Sequence, residues 1–312
     1  MKHFKYYFAL VIAVLMTACS SKDELSQDNS KDPIIISASI AGMQTRSTGG
    51  ATELQNTAFK DEESVNVYML YGSGSNNIEG VPVKGYLTYT KDASGWTTAD
   101  VESIYWPVND CIIFCGYYPS DVTKDTETFE VKPDQSSDAD YRASDFMYVY
   151  DYHYDHDPVE LQFKHMLSKV TVKVNPNGLM TQEEFNTNLY GIELTNISRT
   201  ASITGEYYNK KANATGDKNK YIDLYWDTTG YNPTNGVSCI VPPQTISEGV
   251  KLILVTLNNE NSNYYYTVPN GGIKFEAGKE YIFTLSLQKS GVQLSNFTVT
   301  DWQPETKTGD AI

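Results

Sequence analysis

Three places in this chain carry residue types and spacings that could do chemistry. The first is Cys19, in "MTACSSKDE" at 16–24. Its thiol directly follows an apolar run and directly precedes a polar stretch, so it is a nucleophile set at the end of a membrane-seeking segment. The second is Arg46, in "MQTRSTGG" at 43–50. It is the only arginine before Arg142 and sits in a Gly/Thr loop, the kind of segment that proteases cut. The third is "YDYHYDHD" at 150–157, which brings Asp151, His153 and Asp155 close in sequence. Carboxylate and imidazole are suitable metal ligands. In an extended strand these three share a face, but residues two apart lie about 7 Å from each other, and metal sites need convergent ligands. The segment reads instead as a polar hairpin loop before Pro158.

Other constellations are weaker. His165 lies near Ser168 in "FKHMLSK", but a catalytic pair is defined by geometry, and an alternating strand end accounts for both. No Gly-x-Ser-x-Gly, His-Glu-x-x-His or Gly-rich phosphate loop occurs. The expectation is a protein that is not an enzyme, with no cofactor and no metal. Cys111 and Cys115 are four apart in one strand, about 13 Å, which is beyond disulfide reach. Either can pair with Cys239, or all three can be small buried apolar residues. Trp96, Trp106, Tyr117 and Tyr118 can line a carbohydrate site or belong to the core.

The amino end explains Cys19. Lys2 and Lys5 form a positive region, Phe8 to Met16 form an apolar run too short to span a bilayer, and Thr17 and Ala18 are small. Residues 1–18 therefore read as a signal peptide. With Cys19 it resembles the bacterial lipobox, in which the cysteine is acylated, as with palmitate, and becomes the new amino terminus; Met16 stands where that motif usually has Leu. Several acyl chains anchor a protein stably. The polar residues 20–32 suit a tether, and Lys22-Asp23-Glu24 looks like an acidic export tag for the outer face of the outer membrane.

The elements around these residues are strands. The chain has 312 residues, 40% of them apolar, 24 of them tyrosine, and a net charge of −15. The acidic balance argues against a nucleic-acid partner. "PIIISASI" alternates, with Ile34, Ile36 and Ala38 on one face and Ile35, Ser37 and Ser39 on the other. "CIIFCGYY" is apolar on both faces and reads as a buried central strand. "NPNG" at 175–178 is a breaker, and "TQEEF" after it is a short helix. The fold class is all-β, with two sandwich-like domains meeting near residue 176: a lipidated propeptide with the first strand at 19–46, an amino-terminal β-sandwich at 47–175 and a carboxy-terminal one at 176–312.

"IYWP" (104–107), "FCGYYP" (114–119), "LQFKHMLSKVTVKV" (161–174) and "KEYIFTLSL" (279–287) together resemble the fimbrillin family of type V pilus subunits and related surface proteins. Phe163, His165, Leu167, Ser168, Lys169 and Val170 carry the most specific part. The resemblance implies two tandem, transthyretin-like sandwich domains. It also implies export as an outer-membrane lipoprotein, cleavage by an arginine-specific protease at Arg46–Ser47, and release of the first strand with the anchor. The next subunit's carboxy-terminal strand then fills the vacated groove by donor-strand exchange, so the partners are other pilus subunits in a head-to-tail cell-surface fimbrium. That fimbrium would adhere to a host protein or glycan receptor. Val292 to Trp302 alternates and can serve as the donated strand or equally as the last strand of its own domain. The alternative reading is a permanently tethered surface lipoprotein that binds glycans.

Overall fold

The computed structural model describes residues 33–41, 58–72, 82–99, 104–106, 111–154, 156–176, 179–224, 236–258 and 262–302. In chain order the elements are β1 (Ile36–Ile40), β2 (Ser64–Gly72), β3 (Pro82–Asp92), β4 (Gly95–Thr98), β5 (Cys111–Tyr118), β6 (Thr128–Glu130), α1 (Asp138–Ala143), β7 (Met147–His153), β8 (Val159–His165), β9 (Ser168–Asn175), α2 (Gln182–Asn188), β10 (Leu189–Ile197), β11 (Thr200–Thr204), β12 (Lys211–Thr215), β13 (Lys220–Asp223), β14 (Val237–Val241), β15 (Thr245–Ile246), β16 (Lys251–Leu257), β17 (Ser262–Thr267), β18 (Ile273–Lys274), β19 (Lys279–Gln288) and β20 (Gly291–Asp301). The all-β reading is therefore correct.

Seven strands form one sheet in the order β1-β8-β7-β5-β2-β3-β4. Its two edges meet, because the Trp96 indole N–H of β4 donates to the Ala38 carbonyl of β1 at 3.0 Å. The sheet thus curls around an interior. Alternation sets what lies inside: Val65, Val67 and Met69 of β2, Ile112 and Phe114 of β5, and Leu161 and Phe163 of β8 share one buried cluster with Ile36, Ile40 and Phe59. The opposite face of the same strands, with Tyr68, Cys115 and Tyr117, packs into a second core. Every residue of β5 is buried, as its two-sided apolar pattern predicts.

The second core continues into two four-stranded sheets, β13-β10-β16-β17 and β14-β9-β19-β20. β9 lies before the breaker at 175–178 yet pairs antiparallel with β14 and in parallel with β19. β6 pairs with β11. α2 is the helix read from "TQEEF", held by a complete Thr181–Glu184 capping box. α1 has no counterpart in the sequence reading. At six residues it is too short to show a hydrophobic period, and only the Ser137 cap announces it.

The first strand begins at Ile36 rather than at Ile34, and Ile35 is 60% exposed while Ile36 is buried, in keeping with the two faces read from the sequence. Alternation explains this: an edge strand has one face inward, and Ile35 is on the other. Of the two places open to the aromatics, sugar site or core, most take the core. Trp106, Tyr117 and Tyr118 are buried, and only Trp96 is half-buried. Cys111, Cys115 and Cys239 are buried, with Cys115 and Cys239 as free thiols; burial pushes the Cys115 thiol up to about 11.

Candidate functional site: the slot occupied by the first strand

β1 is the guest of a slot between β8 and β4. It pairs with β8 in parallel, from Ile36 opposite Val159 to Ile40 opposite Phe163. Backbone bonds extend the pairing at both ends: Val159 N–H donates to Ile35, Ala41 N–H donates to Phe163, and Ile34 N–H donates to Ile104. On the far side the Trp96 bond to Ala38 links β1 to β4. Ile36 and Ile40 point into the curled sheet. Their neighbours are an aromatic group in which Phe59 packs edge-on against Trp96, Tyr118 and Phe163, with ring centroids 5.1, 5.4 and 5.5 Å apart. The outward side chains of β1 bond to β8 as well, Ser37 to the Val159 carbonyl and Ser39 to Glu160.

What the slot would become without β1 follows from this pairing. The β8 edge would present unpaired N–H and C=O groups above an apolar floor, which is a template for another strand. The floor is tightly built. A Cβ on Gly116 would come within 2.5 Å of the Phe163 ring and 2.6 Å of Val149, so glycine is required there for Phe163 to lie flat across β5.

Cys19, Arg46 and Ser47 all lie outside the described residues. The described chain ends at Ala41 beyond β1 and resumes at Ala58, with the Arg46–Ser47 bond between those two points. The resumption is firmly held. Arg142 pairs with Glu63 at 2.9 Å and also reaches the Ala58 carbonyl, while the Tyr118 hydroxyl donates to Glu63 at 2.8 Å. Burial first, and then the Glu63 carboxylate, push the Tyr118 hydroxyl well above its ordinary range.

The Phe163–Val170 segment crosses from the curled sheet to the sheet of β9, and its polar residues are structural. His165 bonds Asp145 through Nδ1 at 2.9 Å, with both side chains buried. Lys169 is fully buried and meets Glu280, its cross-strand partner on β19, at 3.2 Å. Ser168 donates to the Glu276 carbonyl, so His165 and Ser168 have different partners and form no nucleophile pair. Sequence reasoning singled out the segment but missed what it does. The available signal was the alternation in "SKVTVKV", where Val170, Val172 and Val174 alternate with Lys169 and Lys173, but it does not say that Lys169 is the lysine to be buried. Around 150–157, His153 bonds Asp151 at 3.1 Å, and no metal-holding group of three is found among the described residues.

The carboxy-terminal strand β20 is the edge of the β14-β9-β19-β20 sheet. β20 pairs antiparallel with β19 along its whole length. Ser295 is an extra residue opposite the Thr284–Leu285 step, so Val292, Leu294, Phe297 and Val299 all face the same side. Phe297 touches Phe283 at a 4.8 Å centroid distance. Even so, Leu294, Phe297 and Val299 are exposed. The end of the strand is held further: the Trp302 ring stacks on His165 at 3.7 Å and its backbone N–H donates to the Gly278 carbonyl.

A family profile described as fimbrillin-like matches residues 45–302. A Bacteroides uniformis protein named as fimbrium subunit Fim1C is 25% identical over 318 residues, 97% of this chain and 96% of that one. Among solved structures, a cell adhesion protein from Bacteroides uniformis aligns with a TM-score of 0.61 at 22% identity, over 78% of this chain and 93% of its own. Another, from Bacteroides ovatus, aligns with a TM-score of 0.63 at 16% identity, over 88% and 98%. At these identities the structural likeness is one of fold.

Proposed function

The chain belongs to the fimbrillin-like family, whose members are structural subunits rather than enzymes, and from that premise we propose that it is a pilus subunit activated by losing its first strand. In this reading Cys19 is acylated and holds the precursor at the outer membrane. Cleavage after Arg46 then frees Ser47 as the new amino terminus. Residues 19–46 leave with β1, and the β8 edge accepts the carboxy-terminal strand of another subunit by β-augmentation. Head-to-tail filling does not close, so it makes a filament. The division into units at 47–175 and 176–312 belongs to the same reading, with β9 crossing to the second unit through its hydrogen bonds.

The observation that carries the reading is the character of β1. It is an edge strand that fills an apolar slot, and it is connected to the body through the stretch that contains Arg46. β20, long and exposed on both faces, supports the donor half of the exchange.

The test is the amino terminus of the chain in surface polymers. Ser47 is the expected first residue, and Arg46→Ala is expected to leave a full-length species that does not polymerise. Polymers built from unprocessed Arg46→Ala chains would overturn the mechanism. Cys19→Ala is expected to abolish acyl labelling of the precursor.

A further inference from the structure

A cavity of about 360 Å³ opens between β12 and the β15–β18 ladder, lined by none of the residues of the slot. That volume lies within the ordinary range for small-ligand sites. Its walls are rigid. Gln244 and Phe275 exchange both backbone hydrogen bonds, and Ala214 N–H donates to the Pro243 carbonyl at 2.9 Å, which ties the two walls together. The Gln244 side chain is spent on Ser198 and Pro242, so it sets the walls and has nothing left to offer a ligand.

The rim is cationic in a chain whose net charge is −15. Lys210, Lys211 and Lys274 line the cavity against the single carboxylate of Glu276. The Lys274–Glu276 pair, at 2.8 Å, has both side chains more than half exposed, and such pairs are held weakly and exchange partners readily. Lys210 reaches only a neutral carbonyl, that of Lys124, at 3.4 Å. Among the described residues neither Lys210 nor Lys211 has a carboxylate at ion-pair distance. Two exposed neutral donors, the Asn213 amide and the Thr245 hydroxyl, line the same cavity, together with the buried apolar residues Ala212, Pro243 and Phe275.

We propose that this cavity binds an acidic sugar unit, its single carboxylate or sulfate held by Lys211 and Lys274 and its hydroxyls by Asn213 and Thr245. The chemistry selects this class. Three ammonium groups beside one carboxylate leave an excess of positive charge for an anion. The overall acidity of the chain repels a long polyanion but costs little for a ligand with one charge. The mixture of apolar residues and neutral donors matches a sugar ring, which has a C–H face and a hydroxyl rim. The site goes beyond the strand-exchange reading and does not depend on it.

Calorimetric titration of the full chain tests the inference. The probes are glucuronic acid, N-acetylneuraminic acid and a galactose sulfate, with glucose, galactose and sodium sulfate beside them. The acidic sugars are expected to bind at least about tenfold more tightly than the neutral ones, a difference of roughly 1.4 kcal/mol, and to weaken as salt screens the lysines. Lys211→Gln combined with Lys274→Gln should lose at least about tenfold in affinity. Lys289→Gln, at the exposed turn before β20, should lose nothing, and both variants should keep the parent's thermal midpoint. Four results would overturn the proposal: no binding of any acidic sugar, equal binding of neutral sugars, sulfate alone binding as tightly as its sugar ester, or full affinity in the double variant.

Discussion

β1 and β20 are both edge strands, and they are held by opposite means. β1 has five residues and makes its energy through side chains: Ile36 and Ile40 are buried in the curled sheet, and the Trp96 bond closes over its back. β20 has eleven residues and is held mainly by its backbone ladder to β19, with most of its side chains in solvent. Edge position alone therefore does not say how firmly a strand is held. A short strand in an apolar slot is costly to remove and would leave an apolar hole behind. A long strand with one partner and open faces detaches at modest cost, and it carries apolar side chains that gain from burial elsewhere.

The largest test of this contrast is deletion. A chain starting at Ser47, kept monomeric, should unfold at a markedly lower temperature than the full chain. Burial of Ile36 and Ile40 contributes roughly 1.5–3 kcal/mol each. A chain ending at Ser290, just before β20, should lose less, with most of its loss coming from the Trp302 ring that the same truncation takes off His165. If the two truncations lower the midpoint equally, the contrast fails.

A matched pair of point changes sharpens the comparison. Ile40→Ala in the buried strand should cost about 2–5 kcal/mol. Phe297→Ala on β20, where the residue is 38% exposed, should cost clearly less although it removes a larger side chain. Denaturant titrations with an unchanged m-value would measure both, and a costlier Phe297→Ala would mean that β20 is more firmly packed than its exposure indicates.

Gly116→Ala probes the floor of the slot. The added methyl would press on Phe163 and Val149, and overpacking of this kind costs about 1–3 kcal/mol. The same variant should also take up an added peptide of β1 sequence more weakly after cleavage at Arg46. A neutral effect on both readouts would show that the floor yields.

The smallest expected effect lies away from both strands and serves as a baseline. Glu193 and Asp223 face each other across β10 and β13. Burial first, then a neighbouring carboxylate, raises both acids, with Asp223 acting on Glu193 and Asp134 on Asp223. A raised carboxyl holds its proton more tightly in the folded chain than in the unfolded one. Its contribution to stability is therefore full in acid and is lost as pH rises through the raised value. Glu193→Gln should raise the thermal midpoint slightly at neutral pH, and the gain should vanish below about pH 4, where the parent carboxyl is itself protonated. A gain that persists in acid would point away from charge repulsion.

Local pattern carries far in this protein. Alternation in "PIIISASI" put Ile34, Ile36 and Ala38 on one face, two-sided apolarity in "CIIFCGYY" marked β5 as central, and "TQEEF", which opens on Thr181, announced α2. Each of these is a statement about neighbours in sequence, and side-chain period and capping chemistry are local properties. The described structure leaves Cys19, Arg46 and Ser47 as readings of sequence alone. What no pattern could supply is partnership at a distance. That β1 lies parallel to β8, that β4 closes over it through Trp96, that Lys169 finds Glu280 and His165 finds Asp145 and Trp302, and that Lys211 and Lys274 share a cavity all depend on pairings between residues far apart in the chain. The sequence by itself determined which segments are strands and which face of each is apolar, because those follow from the pleat. Only the tertiary structure decided which edges meet and which lone charges are answered, because register and crossover are chosen by the packing of the whole core rather than by any segment within it.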